Sequence, residues 1–129
     1  FDTAPLYGKG SSENRIGREL AKWTRDESVI SKKVGRILNN EQNVPNSFKV
    51  IYDYSYDGAC RSLEASLERL GLDRVDILFC HDIDSWTHGD KQSEIFKKAI
   101  KGILPALVEL RHEGVIKAFG LGVNEADLC

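Results

Sequence analysis

Four residue types in this chain could move a proton at a carbonyl oxygen while a hydride moves at the attached carbon. Asp2 and Tyr7 lie five positions apart in Phe1-Asp2-Thr3-Ala4-Pro5-Leu6-Tyr7-Gly8. Lys33 closes the run that begins at Val29-Ile30, and His81 closes the one from Val75 to Cys80. A Tyr with an ordinary pKa near ~10 is poorly matched to proton transfer at neutral pH. A neighbouring ammonium favours the phenolate, and a carboxylate keeps that ammonium charged and oriented. A His that donates a hydrogen bond can hold the carbonyl oxygen in line.

Taken singly, each of these residues has a plainer reading. Tyr7 beside Gly8 would be surface packing, Lys33 a solvated charge, and His81 a satisfied core residue. Joint occurrence at the ends of successive apolar runs is what favours chemistry.

The elements that must position them alternate. Phe1 to Ala4 reads as the tail of a strand, followed by a loop through Gly10. Ser11 or Ser12 caps a helix running to about Trp23, with Glu13 near its positive end and Ile16 and Leu20 on its buried stripe. Val29 to Val34 is a short strand. Residues 36–47 read as a loop, and Phe48 to Tyr52 as extended chain. Asp57 to Leu70 is a helix, since Cys60, Leu63, Leu67 and Leu70 recur at three and four and Gly71 stops it. Val75 to Cys80, apolar apart from Asp76, is a strand buried on both faces. A polar loop from Asp82 to Asp90 precedes a short helix over Ile95 to Ile100. Pro105 then sits in the first turn of another helix, which Gly114 stops. Ala118 to Gly122 is a fourth strand, and Glu125-Ala126-Asp127-Leu128 opens a further helix.

Strands that alternate with helices imply right-handed crossovers and a parallel sheet, hence an α/β fold. No G-x-G-x-x-G turn joins a strand to a helix, which weakens a doubly wound dinucleotide fold and favours a barrel. Barrel enzymes keep their chemistry at the C-terminal ends of the strands, where Asp2, Tyr7, Lys33 and His81 all fall.

Composition narrows the class. With 41% hydrophobic and 29% charged residues and a net charge of −2, the chain lacks the basic excess of a nucleic-acid binder. No apolar run approaches the ~18 residues of a membrane span, and no signal segment is present. Cys60, Cys80 and Cys129 have no C-x-x-C spacing, so neither a disulfide framework nor a zinc ribbon is suggested, and a reducing cytoplasm is expected. The chain has no Met, and both ends fall inside elements, which reads as part of a longer protein. The whole of residues 1–129 is read as one partial barrel domain.

The residues also carry a resemblance. Phe1-Asp2-Thr3-Ala4-Pro5-Leu6-Tyr7-Gly8, with Ser12-Glu13 and Ile16-Gly17-Arg18-Glu19-Leu20, resembles the first signature of the aldo-keto reductase family. Ser66-Leu67-Glu68-Arg69-Leu70-Gly71-Leu72-Asp73, with Val75-Asp76-Ile77, resembles its second. Asp53-Tyr54-Ser55, His81-Asp82-Ile83-Asp84 and Trp86-Thr87-His88-Gly89 are similar to the branch that holds aldose 1-dehydrogenases (fucose- and galactose-type) and pyridoxal dehydrogenase.

The resemblance implies a (β/α)8 TIM barrel, of which the chain supplies about four βα units, strands two to five. It implies Tyr7 as the acid or base, Lys33 and Asp2 as its tuners, and His81 as the orienting donor. It also implies an NAD or NADP cofactor whose carboxamide is held by Asn124, with Asp2 at the cofactor too. The substrate implied is an aldose or a similar small alcohol or carbonyl, met by Tyr7 and His81. Val123 stands where the family commonly has a Ser, which removes one amide contact. The family's phosphate and adenine contacts come from strands this sequence does not contain. Lys32 stands where a small hydroxyl residue is usual, and strand alternation should turn it away from the site.

Other readings compete. His81, Asp82, Asp84 and His88 are all competent metal ligands, but their spacing matches no zinc pattern. No metal is expected. Trp86 could line a sugar or ring pocket or pack on an exposed loop. Cys80 reads as a small buried residue, because no activating partner is evident. Against the oxidoreductase stands a non-catalytic scaffold of the same family, truncated or acting through a partner. Four parallel strands cut from a barrel leave two open edges, which predicts self-association.

Overall fold

Strand β4 (Ile77–His81) is the centre of a three-stranded parallel sheet in a computed structural model that describes residues 1–38 and 50–126. It pairs on one side with β1 (Ser31–Val34), Lys33 opposite Phe79, and on the other with β5 (Ala118–Gly122), His81 opposite Gly122. The opening residues extend this sheet by a single parallel bridge between Asp2 and Ser31. There Ser31 N–H donates to the Phe1 carbonyl (2.8 Å) and Thr3 N–H to that of Ser31 (3.1 Å). The four expected strands are therefore three strands and a bridge, all parallel, with their C-terminal ends on one side.

Strand alternation divides the residues between two faces. Lys32, Val34, Leu78 and Cys80 are buried on one of them, beneath the helices. The other face carries Lys33, Phe79 and Gly122. A Cβ at Gly122 would lie 3.3 Å from that of Phe79 and 3.4 Å from Lys33 Cε. The core joins Val34, Leu78 and Ile30 to Leu63 and Leu70 of α2 (Tyr56–Leu70) and to Ile103 and Leu107 of a later helix.

Helix α1 (Ser11–Leu20) differs from expectation at both ends. Its N-cap is Gly10, in the left-handed region, because both serines are engaged elsewhere. Ser11 Oγ donates to the Gly8 carbonyl (2.6 Å), and Ser12 Oγ shares a hydrogen bond with Thr3 Oγ1 (3.0 Å). The helix stops at Leu20 and leaves Trp23 exposed. Gly17 lies against the end of α2, where a Cβ would sit 2.2 Å from the Leu70 carbonyl oxygen. No side chain fits there.

Helix α2 begins one residue before the expected start. The Ser55 hydroxyl accepts from Gly58 N–H at 3.0 Å, a side-chain N-cap. Gly71 ends it at φ 66°, and Leu72 N–H reaches back to the Leu67 carbonyl. The expected strand at Val75 shifts to Ile77–His81, because Asp76 is a junction at its base. Its carboxylate accepts from Ile30 N–H (2.9 Å), Arg25 Nη2 (2.5 Å) and Lys117 Nζ (2.9 Å). Burial raises the Asp76 pKa, but these donors outweigh it and bring it down to about 2. This junction is at the N-terminal ends of the strands, where it serves stability.

Two expected loops contain structure. Arg36–Leu38 forms β2 and pairs antiparallel with β3 (Val50–Tyr52), Arg36 opposite Tyr52. The remainder of that loop and residues 48 and 49 lie outside the described residues. In the second, Ser85–His88 forms a one-turn helix, α3, because Asp84 Oδ1 accepts from Thr87 N–H (3.0 Å). Helices α4 (Gln92–Lys101) and α5 (Ile103–His112) follow, the first starting three residues earlier than expected. Most of the helix expected from Glu125 lies outside the described residues. Among the described residues no helix is long and apolar enough to cross a membrane.

Lys32 goes to the helix side, as alternation requires, and donates from Nζ to the Ser62 carbonyl at 2.5 Å. It is fully buried. Desolvation pushes its pKa down to about 7, against the attraction of Glu13 and with the repulsion of Arg69. In the unfolded chain a Lys titrates near ~10.4. Between these values the unfolded state binds more protons, so stability rises with pH from about 7 to about 10, by at most ~1.4 kcal/mol per pH unit. Lys32→Met should remove that slope, leaving the variant more stable than the parent at pH 7 with a gap that narrows by pH 9. Urea midpoints at the two pH values check this, and a gap independent of pH would refute it.

Candidate active site

The bridge at Asp2 and the register of β1 with β4 bring three strand ends together. Lys33, third in β1, donates from Nζ to Asp2 Oδ2 at 2.5 Å, and Asp2 Oδ1 accepts from Ser31 Oγ at 2.7 Å. Desolvation tends to raise the Asp2 pKa. The hydrogen bonds from Lys33 and Ser31 and the charge of Lys33 outweigh it, so Asp2 lies below the ordinary carboxylate value.

Pro5 opens a turn that swings Tyr7 over this pair. Lys33 Nζ is 5.1 Å from the centre of the Tyr7 ring, so the ammonium meets the ring face. The last residue of β4, His81, presents its imidazole edge-on to the Tyr7 ring, with centroids 6.2 Å apart. The imidazole is buried, and desolvation holds its pKa well below the ordinary His value. Asp82 and Asp2 pull it upward while Arg36 and Lys33 push it down. The ring is neutral at physiological pH.

Tyr7, Lys33 and His81 line an open cleft of about 540 Å³ together with Trp86 and Asn124. Of the residues expected from sequence, only Asp2 is absent from its lining, since it stands behind Lys33. Asn124 follows β5, where its backbone N–H donates to Asp84 Oδ2 (2.5 Å). Its side-chain Nδ2 donates to Asp82 Oδ1 and Asp84 Oδ2, each at 3.2 Å. With both donors so used, Asn124 Oδ1 is the atom left to accept from a ligand amide. Trp86, in α3, is 79% exposed and so is a wall of the cleft rather than part of the core.

The remaining candidates are engaged in other ways. Asp84 caps α3 and anchors Asn124, while His88 Nε2 lies 2.9 Å from the Tyr54 hydroxyl. Among the described residues no group of three or more His, Cys, Asp or Glu converges as a metal site. Burial raises the Cys80 thiol pKa to about 12, which suits a packing residue.

Sequence reasoning did not assign Arg36 or Asp82 to this chemistry, yet both line the cleft. Arg36 pairs with the Asp82 carboxylate and lies over the Tyr52 ring, 5.6 Å from its centre. The available signals were position alone, three residues after Lys33 and one after His81.

Parallel strands under helices, with an ammonium–carboxylate pair, a phenol and an imidazole gathered at the strand C-termini, are the arrangement of barrel folds, which keep their functional residues at that end. Residues 1–128 match the Aldo/keto reductase family, and the chain belongs to that family. It is therefore an α/β chain forming part of a (β/α)8 TIM barrel. It is 39% identical over 144 residues to pyridoxal 4-dehydrogenase of Microbacterium luteolum, covering 97% of this chain and 42% of that protein. It is 37% identical to D-threo-aldose 1-dehydrogenase of a Pseudomonas species, covering 99% and 44%. A crystal structure of an aldo-keto reductase from Pseudomonas aeruginosa superposes with a TM-score of 0.69 at 33% identity, covering 95% of this chain and 41% of that one. The chain thus spans less than half the length of these relatives.

Proposed function

We propose that this chain carries the proton-transfer half of an NAD(P)-dependent oxidoreductase site that interconverts an aldose or similar alcohol with its carbonyl or lactone product. The observation that carries this reading is Lys33, held by Asp2 at 2.5 Å and set against the face of the Tyr7 ring, which His81 also meets. In it Tyr7 gives a proton to the carbonyl oxygen, or takes one from the alcohol. Lys33 stabilises the phenolate left behind, and Asp2 keeps Lys33 charged and in place. His81, being neutral, donates a hydrogen bond to the same oxygen without adding a charge. A bound nicotinamide supplies or accepts the hydride. The cleft fits such a group in one respect that the residues show: Asn124 offers a free carbonyl oxygen to an amide. Trp86 would flank the substrate at the mouth. The free Cys60 and Cys80 suit a reducing cytoplasm.

A second reading is a non-catalytic scaffold that self-associates. It is favoured by β5, which pairs only with β4 among the described residues and leaves Leu121 exposed. Titration with NADH and with NADPH, followed by nicotinamide fluorescence, separates the two. Saturable binding that is consumed on adding an aldose lactone or an aldehyde supports the oxidoreductase. A folded chain that binds neither cofactor is by itself an inactive portion of a reductase, and the activity then belongs to the longer protein.

A further inference from the structure

The Asp82 carboxylate meets three side chains at the cleft: Arg36, His81 and Asn124. Its backbone leaves β4 at φ 49°, a left-handed conformation uncommon for a residue with a side chain. The backbone is pinned there, because Asp82 N–H donates to the Gly122 carbonyl (2.8 Å) and the Tyr54 hydroxyl donates to the Asp82 carbonyl (2.9 Å). The turn aims the side chain back at the preceding ring. Asp82 Oδ2 is 3.4 Å from His81 Nε2 and also accepts from Arg36 Nη1, while Oδ1 accepts from Asn124. The other ring nitrogen, His81 Nδ1, is buried with no hydrogen-bond partner among the described residues.

A neutral imidazole carries one proton and must place it on one of these nitrogens. On Nδ1 it would face no acceptor, and the Nε2 lone pair would point toward a carboxylate oxygen. On Nε2 the same carboxylate attracts it. We propose that Asp82 and Arg36 are positioning residues: Asp82 fixes the His81 proton on Nε2, and Arg36 holds that carboxylate while offsetting its charge so that the ring stays neutral.

This rests on the reading of His81 as the donor to the substrate oxygen, and it specifies which nitrogen donates. The groups that face the ring are Lys33 from β1 with Asp2 behind it, Tyr7 from the N-terminal turn, Arg36 from β2 and Asp82 from the end of β4. Two cations stand against two carboxylates. Without Arg36 the carboxylates prevail and the imidazole gains proton affinity. Lys33 cannot take over that task, because its ammonium is bound to Asp2.

Long-range proton–nitrogen NMR on the chain with 15N-labelled histidine reads tautomer and titration together, and variants at His88 and His112 assign the signals. At neutral pH the His81 proton is expected on Nε2. Arg36→Ala should raise the His81 titration midpoint by about one pH unit, the lower end of what a charge within ~4–6 Å does. Arg36→Lys should restore it, and Asp82→Ala should move proton population to Nδ1. A proton on Nδ1 in the parent chain overturns the proposal even if no variant folds. So does an Arg36→Ala midpoint equal to that of the parent. Neither cofactor nor substrate is needed, so this failure is distinct from that of the oxidoreductase reading, which the NADH titration decides.

Discussion

Arg69→Ala is expected to destabilise the chain by about 3–5 kcal/mol, the cost of removing one partner from a buried ion pair. Arg69 Nε donates to Glu13 Oε2 at 2.6 Å, and its Nη2 donates to Ser66 Oγ at 2.9 Å. The Glu13 side chain is fully buried, and its second oxygen has no hydrogen-bond partner among the described residues. Truncating Arg69 leaves a desolvated carboxylate at the crossing of α1 and α2, where the contact of Gly17 with the Leu70 carbonyl leaves no room to relax. Lys32 is a second cation nearby, but its hydrogen bond goes to Ser62, which places the loss toward the lower end of the range. Urea unfolding measures it. In a Lys32→Met background, Glu13→Leu with Arg69→Leu should cost less than Arg69→Ala alone, since no charge is then stranded. If the double variant is the weaker of the two, the pair stabilises through its own attraction and the argument from desolvation is wrong.

Much of this arrangement is legible in the sequence because it rests on local signals. The helix over α2 follows from apolar residues at three and four and from Gly71. The strand ending at His81 follows from a run that lacks polar residues after Asp76. Strand alternation is enough to send Lys32 and Lys33 to opposite faces. Asp2, Tyr7, Lys33 and His81 share one side of the sheet because parallel strands point their C-termini the same way. That follows from the order of elements.

What was illegible depends on pairing or on competition between polar groups. β2 has three residues, too few to show a period, and exists through contact with β3 across the intervening chain. α3 is a single turn nucleated by Asp84, inside a stretch whose composition reads as loop. Ser11 and Ser12 are both suitable caps by type, but Gly8 and Thr3 take their hydroxyls first. Arg36 and Asp82 fall in the same category. Neither belongs to a periodic pattern, and only the left-handed turn at Asp82 brings its carboxylate back beside His81.

In the proposed oxidoreductase site, Tyr7→Phe is expected to lower the rate of carbonyl interconversion by about 10²–10⁴-fold, the usual contribution of a positioned acid or base. That corresponds to about 2.7–5.5 kcal/mol of transition-state stabilisation. Only the hydroxyl is removed. The ring keeps its edge contact with His81 and its face toward Lys33, so the fold and the Asp2–Lys33 pair should be unchanged. The loss should appear in kcat, with little change in KM or in NADH affinity, because a proton in flight stabilises the transition state and not the bound ground state. Lys33→Met should produce a loss in kcat as well, but also disturb Asp2, whose Oδ2 would lose its donor while Oδ1 keeps Ser31. Comparing the two separates the acid from the group that tunes it. A Tyr7→Phe variant with kcat close to that of the parent would mean that the proton comes from elsewhere in the cleft.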